Sequence, residues 1–279
     1  MGVDIQKLGI IAGGGRLPDL MVEHCLANDI PFHVVTFKGQ PQPESSSIYA
    51  AQTSELALGQ VGKVIDTFKA KNITHLVMGG HLEKPSLFDL RFDMKGLKIM
   101  NRLRTKHDDE LLTSVCDFLE EEGFHVLGVH EVREDLVMPF GLLTKSEPSE
   151  QQKNTIEIGM EAVEALGALD IGQAAIVKEG VILGVEGVEG TSELIERCST
   201  LRGKSNKGAI LVKAAKPNQN LRVDMPTIGF DTIKQLIDLN FDGVAILSGQ
   251  SLFIDRANAV EIANKKGLFI CGVGTDGSF

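Results

Sequence analysis

Apolar positions fall along this chain in two alternating rhythms, short continuous runs and stretches with helical spacing. Lys7 to Pro18 opens with the run Leu8-Gly9-Ile10-Ile11-Ala12 and passes into the glycine turn Gly13-Gly14-Gly15. Leu20, Met21, Val22 and Leu26 then have the spacing of a helix. Pro31 to Phe37 predicts a second strand from its β-branched and aromatic residues. The Pro, Gln and Ser residues that follow, through Ser47, predict a surface loop. Val61, Val64, Ile65 and Phe68 predict a helix over 61–71, and His75 to Gly80 a third strand, closed by the pair Gly79-Gly80. From His81 to Arg104 the cations Lys84, Arg91, Lys95, Lys98, Arg102 and Arg104 alternate with Leu and Met, which predicts a basic amphipathic helix. His107-Asp108-Asp109-Glu110 opens a further helix through Leu119, with acids where the helix dipole favours them. Gly123 to Val129 reads as another strand.

Between Glu134 and Gln152 the rhythm breaks at Pro139, Gly141 and Pro148. This stretch, 134–152, is expected to be a linker with a short structured part between a first domain, 1–133, and a second, 153–279. Beyond it the pattern predicts a helix from Ile156 to Leu166. Strands Gln173–Lys178 and Val181–Glu186 then form a hairpin around Glu179-Gly180. A helix from Ser192, a strand at Ala209–Val212, a helix at Ile233–Leu239 and a strand at Gly243–Leu247 follow. Ser251 to Ile254 is expected to pair with that last strand, before a helix over 255–266 and a strand over 268–273. Strand–helix alternation of this kind predicts an α/β protein: an N-terminal Rossmann-like parallel-sheet domain plus a smaller mixed α/β C-terminal domain.

At 279 residues the chain is long for one core, in line with two domains. Its net charge of −10 argues against a nucleic-acid partner and makes local groups of cations stand out. With no Trp and one Tyr there is no stacking platform for single strands. No apolar run reaches the length of a membrane span, and the N-terminus is read as carrying no signal-peptide pattern. Cys25, Cys116, Cys198 and Cys271 lie far apart without C-x-x-C, so reduced, buried thiols and a cytoplasmic location are expected.

Three stretches carry candidate chemistry. The strand–glycine turn–helix at Gly13-Gly14-Gly15-Arg16-Leu17-Pro18 has the order in which α/β folds bring backbone N–H groups to a phosphate. It matches G-x-G-x-x-G poorly, because Pro18 takes the third position, and a ligand-free tight turn explains it equally. That a second strand ends in Gly79-Gly80 strengthens the ligand reading, since the carboxyl ends of parallel strands line the ligand crevice. Replacing Gly14 by Val is expected to crowd a ligand more than the fold. The loop Lys213 to Gly229 carries Lys213, Lys216 and Arg222 ahead of Asp224, stiffened by Pro217 and Pro226. Cations with one acid suit a diphosphate and a metal or water; a solvated loop of mutually paired charges is the alternative. Glu186 and Glu189, on the glycine-rich junction before Gly190-Thr191, read as metal ligands or as helix-start acids. The basic stretch 81–104 reads as a solvated face or as a contact with anionic lipid.

Taken together, I-I-A-G-G-G-R-L-P, the segment Met78 to Asp93, H-D-D-E-L-L, A-L-D-I-G-Q-A-A-I-V, V-E-G-V-E-G-T and L-V-K-A-A-K-P-N-Q-N-L-R-V-D-M-P-T-I-G resemble the LpxI-type UDP-2,3-diacylglucosamine pyrophosphatases. The resemblance runs in matching order from about Lys7 to Val273. It implies hydrolysis of UDP-2,3-diacylglucosamine to 2,3-diacylglucosamine 1-phosphate (lipid X) and UMP, in lipid A biosynthesis, with Mg2+ or another divalent cation such as Mn2+. It also implies a homodimer and substrate held between the two domains; because such a substrate carries two acyl chains and no membrane span is read in the sequence, a peripheral contact with the cytoplasmic face of the inner membrane is expected. The aspartate matching Asp224 is the essential carboxylate, with Glu186 and Glu189 as further candidate metal ligands. Expected substrate-binding residues are the turns Gly13, Gly14, Gly15, Leu17, Pro18, Gly79 and Gly80, the junction Glu189, Gly190 and Thr191, and Lys213, Lys216, Gln219, Arg222 and Pro226. Two rivals use the same features. A non-catalytic nucleotide-sugar binding protein would need no Asp224, and a nicotinamide-dependent oxidoreductase would need an acid closing the second strand, where Phe37-Lys38 stands.

Overall fold

The computed structural model describes residues 5–83, 90–103, 108–201, 208–217 and 219–279, with side chains for all of these but 108 and 109. Lys84, Arg104, His107 and the middle of the Met78–Asp93 motif lie outside the described residues, as do the side chains of Asp108 and Asp109. The chain divides into two units: Met1–Asp135 with Asn220–Asp224, and Leu136–Gln219 with Met225–Phe279.

In the first unit β1 (Leu8–Ala12), α1 (Leu17–Ala27), β2 (Phe32–Phe37), β3 (Thr53–Leu56), α2 (Val61–Ala70) and β4 (His75–Gly79) follow one another. Next come α3 (Met94–Met100), α4 (Asp108–Glu121), β5 (His125–Leu127) and the short α5 (Val129–Val132). The five strands are parallel, in the order β3-β2-β1-β4-β5. Strands β1 and β2 are buried almost throughout, as expected of parallel strands covered on both faces, so their sequences are apolar runs rather than alternations. Phe68 of α2 meets Phe124 edge-to-face at 6.3 Å between centroids, a geometry worth about 1 kcal/mol beyond the area it buries. Strand β3, which the sequence pattern passes over, is a half-exposed edge strand without an apolar run. The long basic helix expected over 81–104 is, among the described residues, only the seven-residue α3. Asp93 caps it, accepting from the backbone N–H of Gly96 at 2.8 Å and of Gly62 at 2.7 Å.

In the second unit β6 (Gly141–Leu142), α6 (Glu150–Ala168), β7 (Ala174–Lys178), β8 (Val181–Val185), α7 (Gly190–Ser199) and β9 (Ala209–Lys213) come first. After them are β10 (Thr227–Ile228), α8 (Phe230–Asp238), β11 (Gly243–Leu247), β12 (Leu252–Phe253), α9 (Arg256–Lys266) and β13 (Phe269–Val273). Six strands make one mixed sheet, β6-β13-β11-β9-β7-β8, with the expected β7–β8 hairpin at one end. Strands β7, β9, β11 and β13 are buried along their whole length. Leu194 and Ile195 of α7, Ile233 and Leu236 of α8, and Ala259 and Ala263 of α9 form one core with Leu211, Val244 and Ile246. Helix α6 starts six residues before its apolar spacing suggests, because Ser149 and Gln152 form a capping box. Strand β12 does not pair with β11 as expected. Both sides of β11 are taken by β9 and β13, and β12 instead runs parallel to β10, with Leu252 N–H donating to Pro226 O at 2.8 Å.

Candidate active site

The two glycine turns meet. Strand order reverses between β1 and β4, which are hydrogen-bonded neighbours paired from Leu8↔His75 to Ala12↔Gly79. Beyond the strands, Gly13 N–H donates to Gly79 O at 2.9 Å. Gly14 N–H donates to His81 O at 2.8 Å, and His81 N–H returns the bond to Gly14 O at 3.1 Å. Two backbones therefore cross at the carboxyl edge of the sheet, and the glycines are what let them. A β-carbon on Gly13 would lie 2.4 Å from His81 O, and one on Gly80, whose φ is +87°, 2.6 Å from Gly14 O. A β-carbon on Gly14 would lie 2.4 Å from Cβ of Pro41. The N–H groups of Gly13 and Gly14 are thus spent within the protein, and the expectation that a Gly14 side chain would meet mainly a ligand is corrected: it meets Pro41 and the His81 ring. At Gly15, with φ +93°, the nearest atom to such a carbon is His81 Nδ1 at 3.8 Å. Leu17, first residue of α1, packs at 3.4 Å from the same position on Gly79. Pro18 and Asp19 behind it are buried, and Asp19 accepts from Tyr49 Oη at 2.6 Å and Ser45 N–H at 3.0 Å, pinning the 43–49 loop to α1.

Beside this edge, Asn220 to Asp224 dock in the first unit as a compact turn. Asn220 O accepts from the N–H groups of Val223 at 3.1 Å and Asp224 at 3.0 Å, and its Oδ1 accepts from Arg222 N–H at 3.2 Å. Val223 packs into the core that holds Phe68, Cys116 and Phe124. Arg222 Nη1 donates to Glu120 Oε1 of α4 at 2.6 Å, and Asn220 Nδ2 reaches Thr113 Oγ1 at 3.4 Å. The Arg222 backbone passes over Gly128, directly after β5, where a β-carbon would lie 3.1 Å from Arg222 Cα. Strands β4 and β5 are adjacent, and neighbouring strands lie about 4.8 Å apart, so the turn and the glycine crossing share one edge of the sheet. Next to Gly128 stands His130, whose buried Nδ1 has no hydrogen-bond partner. The sequence reading passed it over, although G-V-H-E directly after a strand end is a visible signal.

The remaining predicted residues lie in the second unit. Glu186 is buried, and both its oxygens are engaged: Gln173 N–H donates to Oε2 at 3.0 Å and Thr191 Oγ1 to Oε1 at 2.5 Å. Lys213, also buried, donates to that Thr191 oxygen at 2.8 Å. Lys216 pairs with Asp170 at 2.6 Å, and its backbone N–H donates to Gln219 Oε1 at 3.0 Å. Glu189 pairs with Arg197 at 2.8 Å; its own backbone N–H and that guanidinium hold its carboxyl below the usual range. Gly190 opens α7 with φ +82°, and Pro226 lends its carbonyl to the β12 pairing described above.

Among the described residues no three His, Cys, Asp or Glu side chains gather closely enough to hold a metal ion by themselves. Magnesium commonly keeps several waters and takes one or two carboxylates plus substrate phosphates. All three candidate carboxylates are already engaged within the protein, Asp224 included: Glu186 would have to release Gln173 and Thr191 to take that role, and Glu189 would have to release Arg197.

Residues 7–136 match the family description "LpxI N-terminal domain" and residues 139–271 "LpxI C-terminal domain". The chain is also 35% identical, over 277 residues, to a protein of Caulobacter vibrioides named UDP-2,3-diacylglucosamine pyrophosphatase LpxI. That alignment takes in 96% of this chain and 98% of the other.

Proposed function

This chain belongs to the LpxI family, and on that premise we propose that it hydrolyses UDP-2,3-diacylglucosamine with Asp224 as the essential carboxylate. One water adds to phosphorus, the P–O–P bridge breaks, and 2,3-diacylglucosamine 1-phosphate and UMP leave. The docked turn is the observation that carries the role of Asp224. Residues 220–224 return from far along the chain to the first unit, where Asn220, Arg222 and Val223 brace the turn beside strand ends of a parallel sheet. Such edges are where open α/β sheets bind ligands. Asp224, with phosphoryl oxygens of the substrate, is the proposed holder of one divalent cation, Mg2+ or Mn2+, which when bound supplies charge neutralisation and Lewis acidity. Arg222 supplies a guanidinium for the diphosphate by turning from Glu120, a half-exposed pair whose loss costs no more than about 1 kcal/mol. Lys213 and Lys216 are further proposed sources of diphosphate charge, each drawn from its present partner, Thr191 or Asp170.

Steady-state turnover of Asp224→Ala tests this reading. Turnover is expected to vanish with the fold intact, and Asp224→Asn is expected to be nearly as impaired, because a neutral amide is a poor magnesium ligand and no base. Retention within about tenfold of wild type, only about 1.4 kcal/mol of barrier, ends the assignment. A nucleotide-sugar binding protein without turnover would tolerate the change.

The reading extends to a homodimer and to a peripheral contact with the cytoplasmic face of the inner membrane. Exposed Val181 and Ile182 on the edge strand β8, with Ile158 of α6, support the first, and a solution mass of two chains checks it. For the second, no helix among the described residues is long and apolar enough to cross a membrane, so a diacylated substrate has to be met at the surface. Met94 and Leu97 of α3 are exposed and supply apolar contact, while Lys95 and Arg102 are already paired with Glu122 and Glu121. Co-sedimentation with anionic vesicles is expected to fall several-fold in the double variant Met94→Ser, Leu97→Ser. Unchanged binding removes α3 as the contact.

A further inference from the structure

The imidazole of His130 is held in an unusual way. Its ring folds back over Gly128, so closely that a β-carbon there would lie 2.3 Å from Cε1 and 2.5 Å from Nδ1. The same position lies 3.1 Å from Arg222 Cα, so the ring and the backbone of the Asn220–Asp224 turn share the space above Gly128. The residue as a whole is half-buried, yet Nδ1 is shut away from solvent and bonded to nothing. Other polar groups nearby are satisfied: Gly128 N–H donates to Glu131 Oε2 at 2.7 Å, and Arg222 and Asn220 have the partners described above. A buried nitrogen without a partner is costly, and native proteins retain few of them. This one lies at the carboxyl end of β5, on the same sheet edge as the glycine crossing and beside the turn that carries Asp224.

We infer that His130 is a substrate-contacting residue: its ring turns off Gly128, where Nδ1 has no partner to give up, and Nδ1–H then donates to an oxygen of the bound diphosphate sugar. The inference rests on the reading that substrate is turned over at the Asp224 turn. A bond made equally to substrate and transition state is lost as a rise in KM with kcat preserved, and one to a charged oxygen is worth about tenfold or more. The two replacements that separate bonding from packing are His130→Asn, whose amide places a donor near the Nδ1 position, and His130→Phe, which fills the space without one.

Steady-state kinetics on UDP-2,3-diacylglucosamine, with melting curves for each variant, are expected to order them in one way. His130→Phe raises KM about tenfold or more with kcat within about threefold, and His130→Asn stays within about threefold of wild type in both. The reverse order, with Phe tolerated and Asn impaired, identifies a packing residue and overturns the inference. Both variants like wild type, or both equally impaired, overturn it too. If Asp224→Ala keeps its turnover, the underlying reading fails whatever His130 does. If Asp224→Ala is inactive and His130→Phe is normal, only the inference falls.

Discussion

At the scale of single residues, the same amino acid serves opposite ends at adjacent positions. Gly14 is needed because Pro41 and His81 leave no room, whereas Gly15 is needed for its φ of +93° with open space around it. Gly14→Val is therefore expected to cost at least about 2 kcal/mol through overpacking. Gly15→Ala should cost about 1 kcal/mol through backbone strain alone. Denaturant unfolding of both variants checks the order, and a Gly14→Val protein as stable as wild type would refute the crossing. Glycine as a turn signal was legible in the sequence; which atoms lie where its β-carbon would be was not, because His81 and Pro41 come from other segments. Asp224 stood out among its cations for the same local reason. The partners of those cations, Glu120, Asp170 and Thr191, are 22 to 102 positions away and left no mark on the loop itself.

At the scale of elements, apolar runs and helical spacing located most strands and helices, since burial on both faces of a sheet writes itself directly into composition. Pairing was less legible. A short strand at Leu252 looks like the return arm of a hairpin, and only the occupation of both sides of β11 excludes it. Edge strand β3 escaped because a half-exposed strand needs no apolar run. The Asn220–Asp224 turn is the element on which function is proposed to depend, and its bracing predicts a clean separation. Asn220→Ala removes the acceptor of Arg222 N–H and the contact with Thr113, while Val223 stays in the core. Loss of such bonds is worth about 1 kcal/mol, so kcat/KM should fall about fivefold to tenfold with the melting temperature lowered by no more than about 4 °C. A lower melting temperature with normal kcat/KM would make the turn a structural brace instead.

At the scale of the whole molecule, the four thiols report on both units, Cys25 and Cys116 on the first, Cys198 and Cys271 on the second. Burial pushes Cys25 and Cys271 up to about 12 and Cys116 up to about 11, and raises Cys198 as well. A raised pKa keeps the folded-state thiol protonated, so each of the four forms thiolate less readily in the folded protein than when a unit opens. A disulfide reagent at pH 8 is expected to label none of the four in the native protein within minutes and all four in denaturant; a rapid native phase would contradict their burial. The interleaving of the units also sets an order of events at the ribosome. Residues 136 to 219 must be synthesised before the five that complete the first unit exist. At roughly 5–20 residues per second, that is a wait of roughly 4 to 17 s. During it the chain already holds both glycine turns but neither the Val223 that enters the first core nor Asp224. On the proposed role of Asp224, hydrolytic competence is a late event of biogenesis, and a ribosome stalled anywhere in that interval carries a chain without its essential carboxylate.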